Sequence, residues 1–242
     1  MLVRKIYRTP LLLLLGFCLI LDIYSQPKNV TIQGMGGIGF GLFVPMMGSE
    51  SSRLEVLGTP YISDSWMYGS FTVSDSVRYE GLLRYNVFTQ EMEFIYNSDT
   101  VLVTAPFRLS GINFSGKKFE HALYIEEKGK TEWLGSAYFE VLNSGTIALL
   151  RKNYVKIEEN SFARNYMGGG GDGREYYVHK SALYFRNEPG TEAVKFEKRQ
   201  RYLLRIMKKH EKEVLEFIRE NKLNIRNEKD LILVFDFYNQ LS

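Results

Sequence analysis

Val77-Arg78-Tyr79-Glu80-Gly81-Leu82-Leu83-Arg84-Tyr85-Asn86-Val87 sets Val77, Tyr79, Leu83, Tyr85 and Val87 on one side of an extended chain. Arg78, Glu80, Arg84 and Asn86 fall on the other. This two-residue period belongs to a strand with one face in a core and one toward water, and not to a helix, whose period is 3.6. Gly81 interrupts the apolar row, as a bulge or a close backbone approach does. Outward from this stretch, Phe88-Thr89-Gln90 turns the chain into Met92, Phe94 and Tyr96, and Asn97-Ser98-Asp99 turns it again into Val101 and Val103. Phe119, His121, Leu123 and Ile125 then alternate with Glu120, Ala122, Tyr124 and Glu126, and Glu127-Lys128-Gly129-Lys130 leads into Trp133, Ala137, Phe139 and Val141. Asn143-Ser144-Gly145 opens a further strand over 147–157, and 176–185 supplies one more. Short strands with polar turns at this spacing predict an antiparallel meander over 58–187, closed into a sandwich or barrel.

The period changes after Asn187-Glu188-Pro189-Gly190-Thr191. Leu203, Ile206 and Met207 share a face with His210, Val214, Leu215 and Ile218 form a second apolar stripe, and Leu231, Val234, Phe235 and Tyr238 a third. Glu228 and Asp230 stand where a helix dipole favours negative charge. Residues 188–242 therefore read as a C-terminal cap of two to three helices, and strands followed by helices make an α+β chain.

The 242 residues carry a formal charge of +3, one Cys, 21 Gly, 16 Phe and 16 Tyr, an aromatic content that excludes a disordered chain. Part of that charge belongs to the start. Arg4, Lys5 and Arg8 precede an apolar run over 11–23 that closes at Tyr24-Ser25-Gln26, the order of a secretory signal peptide over 1–25. The run is too short to span a bilayer, which needs roughly 20 apolar residues. Phe17 before Cys18, with Leu19, Ile20 and Leu21 after it, argues against acylation of that cysteine. Removing 25 residues leaves 28 Lys+Arg against 27 Asp+Glu and no cysteine, so neither disulfide nor thiolate chemistry is expected. No later segment is apolar enough to span, and a soluble mature chain in the periplasm or on the surface of a Gram-negative cell is the expectation.

Residues 26–57 read as a Gly/Met-rich arm or linker. Within them Gly34-Met35-Gly36-Gly37-Ile38-Gly39 matches a dinucleotide fingerprint formally, but Pro45 stands where the required helix would run and no second strand-helix-strand unit follows. Gly168-Gly169-Gly170-Gly171-Asp172-Gly173 lacks the lysine and hydroxyl residue of a phosphate loop and reads as a surface loop.

Chemistry-bearing residues are few. His121 and His179 sit in apolar rows, and no second ligand lies beside either at metal spacing. His210 reads as a helix-end residue. Glu91 and Glu93 share one strand face, which reads as a solvated sheet surface, with a glycosidase-like acid pair as the alternative. Trp66 and Trp133 could stack on sugar rings, although aromatics also favour strands. No hydrolase or zinc motif occurs, so neither catalytic nor metal nor cofactor residues are assigned.

One stretch stands out. Residues 195–209 hold seven basic side chains against Glu197, and Lys198, Arg201, Arg205, Lys208 and Lys209 fall on one side of a helical wheel. Such a helix could present its cations to an anionic lipid surface or an acidic envelope protein while its apolar side docks on the sheet. Glu211, Glu213, Glu216 and Glu220 follow and could answer that charge within the chain. Export argues against nucleic acid.

Gly58-Thr59-Pro60-Tyr61, Tyr79-Glu80-Gly81-Leu82-Leu83-Arg84-Tyr85-Asn86-Val87-Phe88-Thr89-Gln90-Glu91-Met92-Glu93-Phe94, Asn221-Lys222-Leu223 and Asp230-Leu231-Ile232-Leu233-Val234-Phe235-Asp236-Phe237-Tyr238-Asn239 resemble an uncharacterised family of exported bacterial envelope proteins. The resemblance implies an envelope location and one fold unit over 58–242, and it transfers no activity, cofactor or site. A non-enzymatic binding or scaffolding component is the leading expectation. A carrier of a lipid or other apolar ligand inside a β barrel is the second, and an enzyme acting on envelope glycans the third.

Overall fold

Eleven strands and three helices succeed one another in the computed structural model, which describes residues 43–45, 56–73, 77–128, 131–159 and 174–241. All of these belong to one unit, Leu42–Ser242. The stretch over 1–25 read as a signal peptide, with its Cys18, the Gly34 to Gly39 match and the Gly168 to Gly173 run lie outside the described residues. The strands are β1 (Phe43–Pro45), β2 (Met67–Val73), β3 (Val77–Asn86), β4 (Glu91–Tyr96), β5 (Asp99–Val103), β6 (Leu109–Phe114), β7 (Lys117–Lys128), β8 (Thr131–Val141), β9 (Ala148–Glu159), β10 (Glu175–Arg186) and β11 (Ala193–Lys195). The helices are α1 (Gln200–Ile206), α2 (Glu211–Glu220) and α3 (Glu228–Leu241), with 3-10 turns at Pro106–Arg108 and Lys208–His210.

The hairpins follow from their turn residues. Tyr96 pairs with Asp99 across Asn97 and Ser98, and Phe114 with Lys117 across Ser115 and Gly116. All four turn residues have positive φ, which matches the twist that two-residue hairpins require. Asn86 accepts the Phe88 and Thr89 amides through Oδ1 at 3.0 and 3.1 Å, so its side chain shapes the β3–β4 turn.

The sheet runs β1-β5-β4-β3-β2-β6-β7-β11-β10-β9-β8, and β8 pairs back onto β7. Strands β7 to β11 thus close a five-stranded ring, while β6 to β1 form an open extension from β7. Every neighbouring pair is antiparallel except β7 with β11, where Ala193 and Val194 run parallel to Tyr124 and Ile125. The α+β meander with three C-terminal helices matches the expected class. Its bounds differ: β1 and the Leu57 bridge to Tyr176 fall within 26–57, and β11 falls within the stretch read as helical cap.

A ring of five strands is narrow, so its inward positions must be small or shared among few large side chains. Ala122, Ala137, Ala148, Ala182 and Ala193 supply one alanine per strand, and Tyr124, Phe139, Leu150 and Tyr184 fill the remaining space. Phe139 and Tyr184 pack edge to face with Tyr124 at 6.1 and 5.6 Å between centroids. Tyr124 lies over Gly135, where a Cβ would meet its ring at 2.6 Å. Side chains occupy the interior of this ring, which differs from a ligand-holding barrel.

The outer face of β9 and β10 is apolar as well. Leu149, Leu183 and Phe185 pack with Phe196, Leu203, Met207, Val214, Ile218, Leu231, Val234 and Phe235, which places the helices as a layer over the ring. Asn239 of α3 seals this layer. Its amide accepts the Ile147 N–H at 3.0 Å and donates to the Ile147 carbonyl at 2.8 Å. Arg151 of β9 bridges Glu140 of β8 and Glu228 at the start of α3, and Lys117 joins Glu140 at 3.1 Å.

Candidate functional site

The basic stretch folds into less helix than its wheel predicts. α1 spans only seven residues, Lys198 precedes it, and Lys208 and Lys209 lie in the following 3-10 turn. Leu203 and Met207 are fully buried against the ring, as the wheel requires. Arg201, Arg205 and Lys208 come together with Arg199 around a surface depression of about 840 Å³, floored by Tyr202 and Leu204. Lys198 turns away, its Nζ donating to the Arg226 carbonyl at 3.3 Å, and Lys209 does not line the depression. The five-residue cationic side therefore becomes three of the five plus Arg199, because the helix starts only at Gln200, which leaves Lys198 before it, and breaks at Met207, which puts Lys209 in a separate turn.

Four cations here face two carboxylates, Glu197 and Glu211. Glu197 approaches Arg199 at 3.4 Å across exposed side chains. Arg205 lays its guanidinium 4.8 Å from the Tyr202 ring centroid, and no ion pair joins Arg201, Arg205 or Lys208 to any described residue. Of the α2 glutamates, Glu211 lines the depression and answers part of this charge, whereas Glu213 takes a 3.4 Å contact from His210 and no ion pair brings Glu216 or Glu220 there. What results is a shallow cationic surface with an apolar and aromatic floor, suited to attracting an anionic group.

The acids of β4 separate. Glu91 is exposed, whereas Glu93, read as a solvated side chain, is almost fully buried. Arg84 donates to its Oε2 through Nε and Nη2 at 2.9 and 2.7 Å, and Tyr61 donates to Oε1 at 2.8 Å. The Arg84 guanidinium lies 3.9 Å from the Tyr61 ring centroid and 4.5 Å from that of Trp66. Burial, then the bond to Glu93, pushes the Tyr61 phenol up to about 12, so it stays a donor. This network ties the segment before β2 onto β3 and β4 and leaves no carboxyl oxygen of Glu93 without a partner. Glu93 is thus engaged structurally, and Trp66 stacks on an arginine.

The histidines disperse. His121 on β7 is half-buried against Tyr138 at 5.1 Å between ring centroids, and burial holds its imidazole below the usual value. His179, read as a core residue, is exposed and meets the Thr59 carbonyl at 3.0 Å. His210 stands at the N-cap of α2 with its ring on Tyr238. Among the described residues, no three His, Cys, Asp or Glu side chains are grouped to hold a metal, and no helix is long and apolar enough to cross a membrane. Comparison with family models, curated proteins and solved structures finds no match.

Proposed function

We propose that this protein is an exported component of a Gram-negative cell envelope that binds rather than catalyses, and that it engages an anionic surface through α1. The basic leader over 1–25 and the resemblance to exported envelope proteins support the location. The depression at Arg199, Arg201, Arg205 and Lys208 carries the binding reading, since it gathers four cations around Tyr202 and Leu204 against two carboxylates, Glu197 and Glu211, and leaves a net positive charge. Anionic headgroups or an acidic protein face would gain from this field, and the gain should fall with salt because the site is open to water.

The test is charge reversal, with Arg201, Arg205 and Lys208 all changed to Glu in the full chain expressed with its leader. Loss of envelope co-fractionation, together with salt-sensitive binding of the unaltered protein to vesicles containing anionic lipid, is expected. Unchanged fractionation and unchanged partners in pull-downs would remove α1 from the account.

A further inference from the structure

β7 changes neighbours along one edge. β6 pairs with it as far as Phe119, and β11 takes over at Tyr124 and Ile125 in the opposite direction. Residues 120–123 make no ladder pair on that edge among the described residues, although their other edge is fully paired with β8. β6 ends its pairing at Phe119 and β11 begins at Tyr124, so the sheet parts between them. The gap is a cleft of about 630 Å³, within the range that holds small molecules.

Two walls are apolar and open. Phe107, on the 3-10 turn before β6, is 76% exposed, and Leu123 is 45% exposed. Neither belongs to either described buried cluster, and both present large apolar surface to solvent. The remaining wall is polar. Arg186, at the end of β10, donates through Nε and Nη2 to both oxygens of Glu120 at 2.6 and 2.8 Å. Its Nη1 is buried and has no partner. Buried guanidinium nitrogens ordinarily find acceptors, and here the unsatisfied donor belongs to a residue that lines the cleft. The nitrogen is closed to water, and an acceptor reaches it only when the cleft wall shifts. Beside it runs the turn at Glu188, Pro189, Gly190 and Thr191, closed by two bonds from Thr191 to the Glu188 carbonyl.

Charge selects the head group. Glu120 already neutralises Arg186, and Glu192 adds a second carboxylate at the lining. A further anion is repelled, and an ammonium, although Glu192 attracts it, offers no acceptor to the Arg186 donor. A neutral carbonyl satisfies the donor at no electrostatic cost.

We propose that the branch-point cleft binds a neutral acyl group, an amide or ester carbonyl on a short apolar chain, with the carbonyl on Arg186 and the chain between Phe107 and Leu123. Its source is an acyl amide or an acyl ester, and the two are distinguished by probe. This site is separate from α1 and stands whether or not α1 binds an anionic surface.

The experiment is protein-observed NMR titration of the purified protein with hexanamide, methyl hexanoate, hexanoate and hexylamine. At least one neutral probe should move the amides of His121, Ala122 and Thr191, saturably, with hexanoate and hexylamine each weaker by roughly fivefold or more. Phe107→Ala should weaken the neutral probe about fivefold without changing the melting temperature, since the ring is exposed. Arg186→Lys keeps a cation beside Glu120 and should abolish the preference for a carbonyl over an amine. Silence from both neutral probes, equal binding of hexylamine, or undiminished binding by Phe107→Ala overturns the proposal. Charge reversal at α1 should leave the titration unchanged.

Discussion

Gly145 and Asn239 show how much one residue can settle. Gly145 has φ of +152°, and a Cβ there would run into the Asn239 amide. That same amide completes both polar groups of Ile147. Gly145→Ala should therefore cost about 2–4 kcal/mol by strain and displacement. Asn239→Ala should cost about 2 kcal/mol through two lost bonds. Both act on one contact, so urea denaturation of the double variant should give less than the sum, and strict additivity would show that the two do not meet. The sequence announces a turn at Asn143-Ser144-Gly145 but not its partner, which lies more than ninety residues away. Asn143, also in that turn, accepts the Leu149 N–H at 2.6 Å, a local bond that turn chemistry makes legible.

Among elements, the end of β3 illustrates a face misread by period alone. Alternation places Arg84 on the polar side, as it does Glu93 on β4, and both assignments are geometrically right. Residues 60–62 then continue along β3 where β2 stops, through the Ile62 to Tyr85 and Val87 to Pro60 bonds, and cover that side. Tyr61 and Trp66 close over Arg84, so a polar face becomes an interior one. Glu93→Leu would leave Arg84 enclosed without a counter-charge and should cost about 2–4 kcal/mol, while Tyr61→Phe removes one bond and should cost about 1 kcal/mol. Urea midpoints measure both, and equal losses would mean that the ion pair contributes no more than the phenol. The cationic α1 surface was legible in composition but not in membership: its helix runs only from Gln200 to Ile206, Lys198 and Lys209 leave the group and Arg199 joins it.

At the scale of the molecule, the helices complete the ring rather than decorate it. Leu149, Leu183 and Phe185 face outward from β9 and β10 and are buried only because α1, α2 and α3 lie over them. A chain ending after residue 196 should lose its cooperative thermal transition and bind ANS, since this apolar face would open to water. A shortened chain that melted like the full one would show that the ring stands alone.

By itself the sequence determined the strands with clear alternation, the order of strands before helices and the helical stripes, and it showed basic and acidic residues in near balance, 31 against 28. These depend on period, turn residues and charge, all of which act between neighbours along the chain. Tertiary structure decided that β7 and β11 close the ring, that the alanine row faces inward, that Glu93 is enclosed and that a cleft opens where β7 changes partners. In a narrow ring both faces of a strand can be buried, one by the opposite strands and one by helices, so a two-residue period separates the faces without saying what covers each. Only contacts between residues far apart in the chain could supply that answer.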